Sequence, residues 1–382
     1  MITKNILINL ISLFQGGPKT VCTGLLEGIE DFLITNRETT FYLMTPSIPD
    51  ILEKVDSLQK KFGVNIVHIP LNYPTKHFNF IFKLYYDHYL TAKYAEKNNV
   101  DFIFMTANFA SLFSRKKQLV LLHNSHYFEK RNPFSRFSLK IRYFLEKKLF
   151  YFTLIKKPHY IVQTNVMKEG LHKFCNVASY KAHALYMMPP RVFTNSIKHE
   201  IPEIFKDNQD YKKLFIPAKF HPNKNFHLIK QVGFLIAQSK LNIKIFVTLN
   251  NNDYTKWLDN DITLLNNVII NLGELEYNKI RSYYENIDMV LFPTSAESYG
   301  FPYIEAMICN KAIATTDSGF AHELLGENGY YFDLNANSVF EKINEFILHP
   351  KQLNYNVLNY IPEWEDYIKK IIEIYEKSND FI

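Results

Sequence analysis

Two glutamates, Glu297 and Glu305, stand either side of Gly300 in Phe292-Pro293-Thr294-Ser295-Ala296-Glu297-Ser298-Tyr299-Gly300-Phe301-Pro302-Tyr303-Ile304-Glu305-Ala306-Met307. The apolar run 288–292 reads as a buried strand, and Pro302 fits the first turn of a helix. A helix that starts behind a glycine loop is a ready anion site, because its free N–H groups and its dipole point outward. An ionised carboxylate only accepts hydrogen bonds, so Glu305, one to two turns into that helix, suits the hydroxyls of a sugar. An ordinary strand-loop-helix with solvated acids carries the same local signals. Upstream, Phe215-Ile216-Pro217-Ala218-Lys219-Phe220-His221-Pro222-Asn223-Lys224-Asn225 reads as a strand followed by two lysines on the next loop and helix start. Surface loops commonly carry solvated lysines of this kind.

The Glu297 stretch resembles the signature of the retaining group-one glycosyl transferases of GT-B fold, in which two glutamates are separated by seven residues. The resemblance implies that Glu297 touches the donor sugar and Glu305 holds the ribose of its nucleotide. Ser298, Gly300 and Phe301 would then line the donor. Thr316-Asp317-Ser318-Gly319-Phe320-Ala321-His322-Glu323 and Gly329-Tyr330-Tyr331-Phe332-Asp333 resemble the segments that follow in the family. Asn310 and Ala312 depart from its usual Gly and Pro at a helix-to-strand turn. At Ala218-Lys219 the family has Gly-Arg and then a Lys matching Lys224, and the two cations grip the donor diphosphate. Lys219 keeps the charge of the Arg but loses its bidentate fork.

The first half offers three smaller signals. Gln15-Gly16-Gly17 follows the first strand where the family has a Gly-Gly loop against the donor; a plain tight turn reads the same way. The pair lacks the three-glycine dinucleotide fingerprint, which disfavours a nicotinamide enzyme. Leu121-Leu122-His123-Asn124-Ser125-His126 ends another strand. The family carries His followed by an acid there, with the His near the donor sugar; His123 matches and Asn124 departs. Asn124 and His126 are acceptor-side candidates, and a histidine closing a hydrogen bond at a strand end is the plainer reading of His123.

Asp259-Asn260-Asp261 has the spacing of a metal-diphosphate motif but lies between a helix and a strand, so it reads as a solvated turn. No metal or other cofactor is expected beyond a UDP- or GDP-linked sugar as donor substrate. Residues 130–157 carry nine cations against Glu146, interleaved with Phe134, Phe137, Phe144, Phe150 and Phe152. Either this is a core helix with a solvated basic face, or a surface for anionic lipid.

Short apolar β-branched runs alternate with helical patterns through most of the chain, which implies parallel sheets covered on both faces. Strands are expected at 5–13, 40–44, 65–69, 102–105, 119–123, 160–163 and 184–187, then at 213–218, 243–248, 268–272, 289–292 and 312–315. Met188-Pro189-Pro190-Arg191 interrupts the pattern, and the polar stretch to Asp210 reads as a linker. The expectation is an α/β protein of GT-B type: an acceptor-binding Rossmann-like domain over 1–190, a nucleotide-sugar-binding one over 191–360, and a helix over 361–382 returning to the first. Two such domains place a cleft at the carboxyl ends of their sheets.

The 382 residues are 47% hydrophobic and 21% charged, a globular composition. Cys22, Cys175 and Cys309 form no disulfide or zinc pattern and fit a reducing compartment. A net charge of +6 is modest for a nucleic-acid binder, so no nucleic-acid partner is expected. The apolar start leads into the Gly16-Gly17 loop and reads as a strand, and no run is long enough to span a membrane. The expected location is the cytoplasm, with the basic stretch touching the inner face of the cell membrane. The resemblance implies a retaining transfer of a sugar to a glycan or lipid-linked hydroxyl in bacterial surface polysaccharide or glycolipid assembly. Glu297, Lys224 and His123 would be at the reacting end. A non-hydrolysing nucleotide-sugar epimerase and a non-catalytic subunit of the same fold, binding a membrane or partner, are the alternatives.

Overall fold

The computed structural model describes residues 4–14, 16–73, 80–128, 137–195, 200–206, 210–239 and 241–378. The chain divides into two compact units, 1–190 with 361–382, and 191–360.

In the first unit the strands are β1 (Lys4–Asn9), β2 (Thr39–Pro46), β3 (Ile66–Leu71), β4 (Phe102–Met105), β5 (Lys117–Leu122), β6 (His159–Val162) and β7 (Ala182–Ala184). They form one sheet in the order β3-β2-β1-β4-β5-β6-β7, and every pairing is parallel. Parallel strands need crossovers that cover both faces, and β4 is accordingly buried at every position. The strand order reverses direction between β1 and β4, so the loops after these strands diverge at one sheet edge.

The first strand is shorter than its apolar run. It stops at Asn9, whose Oδ1 accepts the Ile11 N–H at 3.1 Å, and Leu13 N–H bonds Leu10 O at 3.0 Å. An Asx turn thus ends the strand while Leu10, Ile11 and Leu13 remain in the core. The last strand also lies earlier than expected, over Ala182–Ala184.

The helix Gly16–Thr35 carries glycines where the helix Trp364–Lys377 crosses it. A Cβ on Gly24 would lie 2.0 Å from the Trp364 ring, and one on Gly28 would lie 2.3 Å from the Trp364 carbonyl oxygen. The second helix buries Trp364, Tyr367, Ile368, Ile371 and Ile372, a helical period, and Tyr375 stacks on Phe102 at 4.3 Å.

In the second unit β8 (Lys212–Ile216), β9 (Ile243–Val247), β10 (Ile269–Asn271), β11 (Met289–Phe292), β12 (Ala312–Thr316) and β13 (Gly329–Phe332) form a parallel sheet in the order β10-β9-β8-β11-β12-β13. The reversal falls between β8 and β11. The polar stretch after Pro190 is anchored to this unit. Phe193 and Phe205 are buried, and the Arg281 guanidinium donates to the carbonyls of Phe193 and Asn195 at 2.6 and 3.0 Å. Two isolated aromatics and one arginine do this without any apolar period.

Candidate active site

The reversal between β8 and β11 brings the Lys224 and Glu297 loops together at the carboxyl ends of neighbouring strands. Lys224 Nζ lies 2.6 Å from Glu297 Oε2, with both side chains about four-fifths buried (17% and 21% exposed). The ammonium also sits 4.1 Å from the centre of the Phe292 ring, at the end of β11, a cation–π contact. Two asparagines whose bridging role no local sequence pattern signals, Asn223 and Asn225, stitch the loops. Asn223 donates to Ala296 O at 2.9 Å and accepts the Ser295 N–H on its carbonyl at 2.8 Å. Asn225 donates to Pro293 O at 2.8 Å from a left-handed backbone, φ +46°. Asparagine tolerates that conformation better than other non-glycine residues, a signal present in the His-Pro-Asn-Lys-Asn string.

Gly300 is required by its surroundings. It caps the helix Phe301–Ile308 at φ +76°, and a Cβ there would lie 2.6 Å from the Tyr303 ring. Tyr303 is fixed in turn, its hydroxyl 2.6 Å from Thr315 Oγ1, which donates to Phe292 O at 3.0 Å. Ser298 and Phe301 are buried beside this turn. The helix N-terminus, the lysine and the glutamate therefore share one rigid corner.

Two expected donor residues have other partners. Lys219 is largely exposed and pairs with Glu274 at 3.6 Å, on the loop after β10. Glu305 is buried, and its Oε1 and Oε2 accept the hydroxyls of Tyr277 and Tyr284 at 2.8 and 2.7 Å. Burial pushes the Glu305 carboxyl up from its ordinary range, opposed by the two phenols. Neither tyrosine was identifiable from spacing. Asp259-Asn260-Asp261 forms a short 3-10 turn, with Asp261 paired to Lys230.

In the N-terminal unit, Gly16 (φ +58°) opens the helix Gly16–Thr35, and nothing lies within 4 Å of a Cβ built on Gly16 or Gly17. Gln15 lies outside the described residues. The backbone N–H groups of His123 and Asn124 both bond Asn108 Oδ1, at 2.6 and 3.1 Å, from the loop after β4. His123 Nε2 lies 3.1 Å from Thr106 O. A carbonyl only accepts, so Nε2 carries the proton and Nδ1 keeps its lone pair. Burial lowers the His123 pKa to about 4, so the ring is neutral at pH 7. The His126 side chain lies outside the described residues.

Two parallel-sheet α/β units of this topology define the GT-B class of fold. Solved structures agree. A glycosyltransferase from Rickettsia africae has a TM-score of 0.69 at 17% identity, covering 98% of both chains. The Anabaena protein Alr3699/HepE in complex with UDP-glucose has a TM-score of 0.61 at 15% identity, again covering 98% of both. Residues 197–364 match the family model of the glycosyl transferases group 1. The O-antigen chain mannosyltransferase RfbU of Salmonella typhimurium is 25% identical over 195 residues, 49% of this chain and 51% of that protein. The match thus spans about half the length of the curated relatives.

Proposed function

We propose that this chain is a retaining glycosyltransferase that moves a sugar from a nucleoside diphosphate to an acceptor hydroxyl in surface polysaccharide or glycolipid assembly. The Lys224–Glu297 pair beside the Gly300 helix start carries the reading. The bond from the anomeric carbon to the diphosphate oxygen breaks with its electron pair leaving on the diphosphate. A bond from that carbon to the acceptor oxygen forms, and the hydroxyl proton is released. Lys224, Lys219 and the N–H groups after Gly300 are the charges and dipoles suited to the leaving diphosphate. Glu297 accepts from sugar hydroxyls, and neutral His123 offers Nδ1 to another. Ser298, Gly300 and Phe301 of the C-terminal unit are donor-side candidates, as are Gly16 and Gly17 of the N-terminal unit, and Asn124 and His126 are acceptor-side candidates. The resemblance to RfbU, an O-antigen chain mannosyltransferase, and to HepE, solved in complex with UDP-glucose, supports a UDP- or GDP-linked hexose as donor.

The acceptor side of this reading includes an anionic membrane. The helix Phe137–Thr153 exposes Ile141, Phe144, Leu145 and Phe152 to solvent, together with Lys140 and Lys148. Its one acid, Glu146, is paired to Arg142. Exposed aromatics among cations suit the headgroup layer of an anionic bilayer. Residues 130–136 of the basic stretch lie outside the described residues. No helix among the described residues is long and apolar enough to cross a membrane.

A panel of nucleotide sugars scored by the rise in melting temperature identifies the donor, and NMR of the product gives its anomeric configuration. Conversion of the donor to an epimer, with no nucleoside diphosphate released, overturns the transfer reading. An inverted product overturns retention alone. Equal flotation of wild type and a Phe144→Ser/Phe152→Ser variant with anionic vesicles overturns the membrane assignment.

A further inference from the structure

The two phenols on Glu305 are unequal. Tyr284 is fully buried, edge-on to Phe215 at 5.3 Å and to Phe193 at 5.7 Å, so it cannot leave without opening the core. Tyr277 is part-exposed, on the surface turn between β10 and the helix Ile280–Glu285. The backbone bonds of that turn are local, Lys279 N–H to Glu276 O at 3.0 Å and Ile280 N–H to Tyr277 O at 3.4 Å. The turn starts at Gly273, φ +74°, with nothing within 4 Å of a built Cβ. Three residues before Tyr277, the same turn presents Glu274 to Lys219 at 3.6 Å. One segment therefore sets an anion on the lysine assigned to the diphosphate and a hydroxyl on the carboxylate assigned to the ribose.

We propose that the turn 273–279 is a built-in surrogate for the nucleotide, and that Tyr277 sets donor affinity by occupying Glu305 until a ribose hydroxyl takes the place of its phenol. This rests on the reading of Glu305 as a ribose ligand. The exchange is like for like, one O–H donor for another. A buried carboxylate left short of a donor is destabilised, and the exchange avoids that state. Tyr284 keeps the second oxygen throughout and holds the carboxylate in place. The exposed Glu274–Lys219 pair is worth little by itself, so Tyr277 is the informative position.

Calorimetric titration of UDP and GDP, and of the dideoxyribose analogue of whichever binds, into wild type, Tyr277→Phe and Glu305→Gln tests this. A single cooperative thermal unfolding transition, at a somewhat lower temperature for Tyr277→Phe, shows that each variant is folded. Tyr277→Phe is expected to bind the ribonucleotide about tenfold more tightly, equivalent to about 1.4 kcal/mol, because no phenol competes. Its affinity for the dideoxy analogue, which has no hydroxyl to exchange, is expected to stay unchanged. Equal or weaker ribonucleotide binding by Tyr277→Phe overturns the exchange. So does an equal gain for both nucleotides, which reports a loosened turn. Glu305→Gln separates this failure from failure of the underlying reading. It should lose the preference for ribose over dideoxyribose. If it keeps wild-type affinity and preference, Glu305 is not the ribose ligand and both fall, as they do if neither nucleotide binds wild type.

Discussion

Neutralising either member of the Lys224–Glu297 pair should shift nucleoside diphosphate binding in opposite directions. In the free protein the pair is compact, 2.6 Å, and about four-fifths buried. Exposed pairs contribute about 0.2–1 kcal/mol, and loss of one partner from a buried pair costs about 3–5 kcal/mol, so a partly buried pair falls near 2 kcal/mol. On the proposed function, Lys224→Met removes a charge-assisted contact to the diphosphate, worth about 1.5–3 kcal/mol, and should weaken UDP or GDP binding by about 10–150-fold. It also strands Glu297, so melting should fall by roughly 4–8 °C for a unit of this size. Glu297→Gln removes a negative charge next to a bound anion and frees the ammonium, which still rests over the Phe292 ring. Binding of the sugar-free diphosphate should therefore tighten, by up to about tenfold, while transfer from the complete donor falls by at least about 100-fold. Calorimetry with the diphosphate and a radiolabel transfer assay separate the two. Parallel weakening of diphosphate binding by both variants would refute the division of labour, in which the lysine meets phosphate and the glutamate meets sugar.

Gly300→Ala should destabilise the C-terminal unit by about 2–4 kcal/mol, because a left-handed backbone and a close Tyr303 ring act together; urea denaturation measures it. Asn108→Ala should lower turnover while leaving diphosphate affinity unchanged, since it releases the His123 and Asn124 backbone and touches no phosphate-facing group; a loss confined to diphosphate binding would contradict it. Acid should destabilise the N-terminal unit. His88, His123 and His159 are each lowered to about 4 by burial, so the unfolded chain binds protons at 6.5 that the folded unit refuses. Stability is full above pH 6.5 and is lost as pH falls towards 4, by about 2 kcal/mol at pH 5 for the fully buried His88 alone. Hydrogen exchange at pH 7 and pH 5 should show the opening in 1–190, and His88→Gln should flatten the dependence.

What could be read from the sequence follows the range of the interactions involved. The strand 289–292, the Gly300 turn and the helix after it were legible because each depends on its own residues: an apolar run, a glycine, a proline. Parallel sheets followed from the alternation of strands and helices, and the fold class from that together with the motifs. The end of β1 was misplaced because the apolar run continues through Leu10–Leu13, and hydrophobicity does not separate a buried strand from a buried turn. The Asn9 side chain, which accepts the Ile11 N–H, and the Leu13–Leu10 turn bond decide it.

The site was half legible for a related reason. Lys224 and Glu297 are 73 residues apart, and what joins them is Asn223 and Asn225 bonding the opposite loop, contacts with no sequence period. Glu305 shows the limit most sharply. Its spacing from Glu297 leads to the expectation of a ligand group, yet its partners in the free protein come from Tyr277, 28 residues away, and Tyr284, 21 residues away. A motif reports which atoms a ligand can use, and the fold decides what those atoms hold while the ligand is absent. Affinity is the difference between those two states. A family signature can therefore stay intact while donor affinity is tuned on a turn outside it, and 273–279 is the segment where that tuning should be found in this chain.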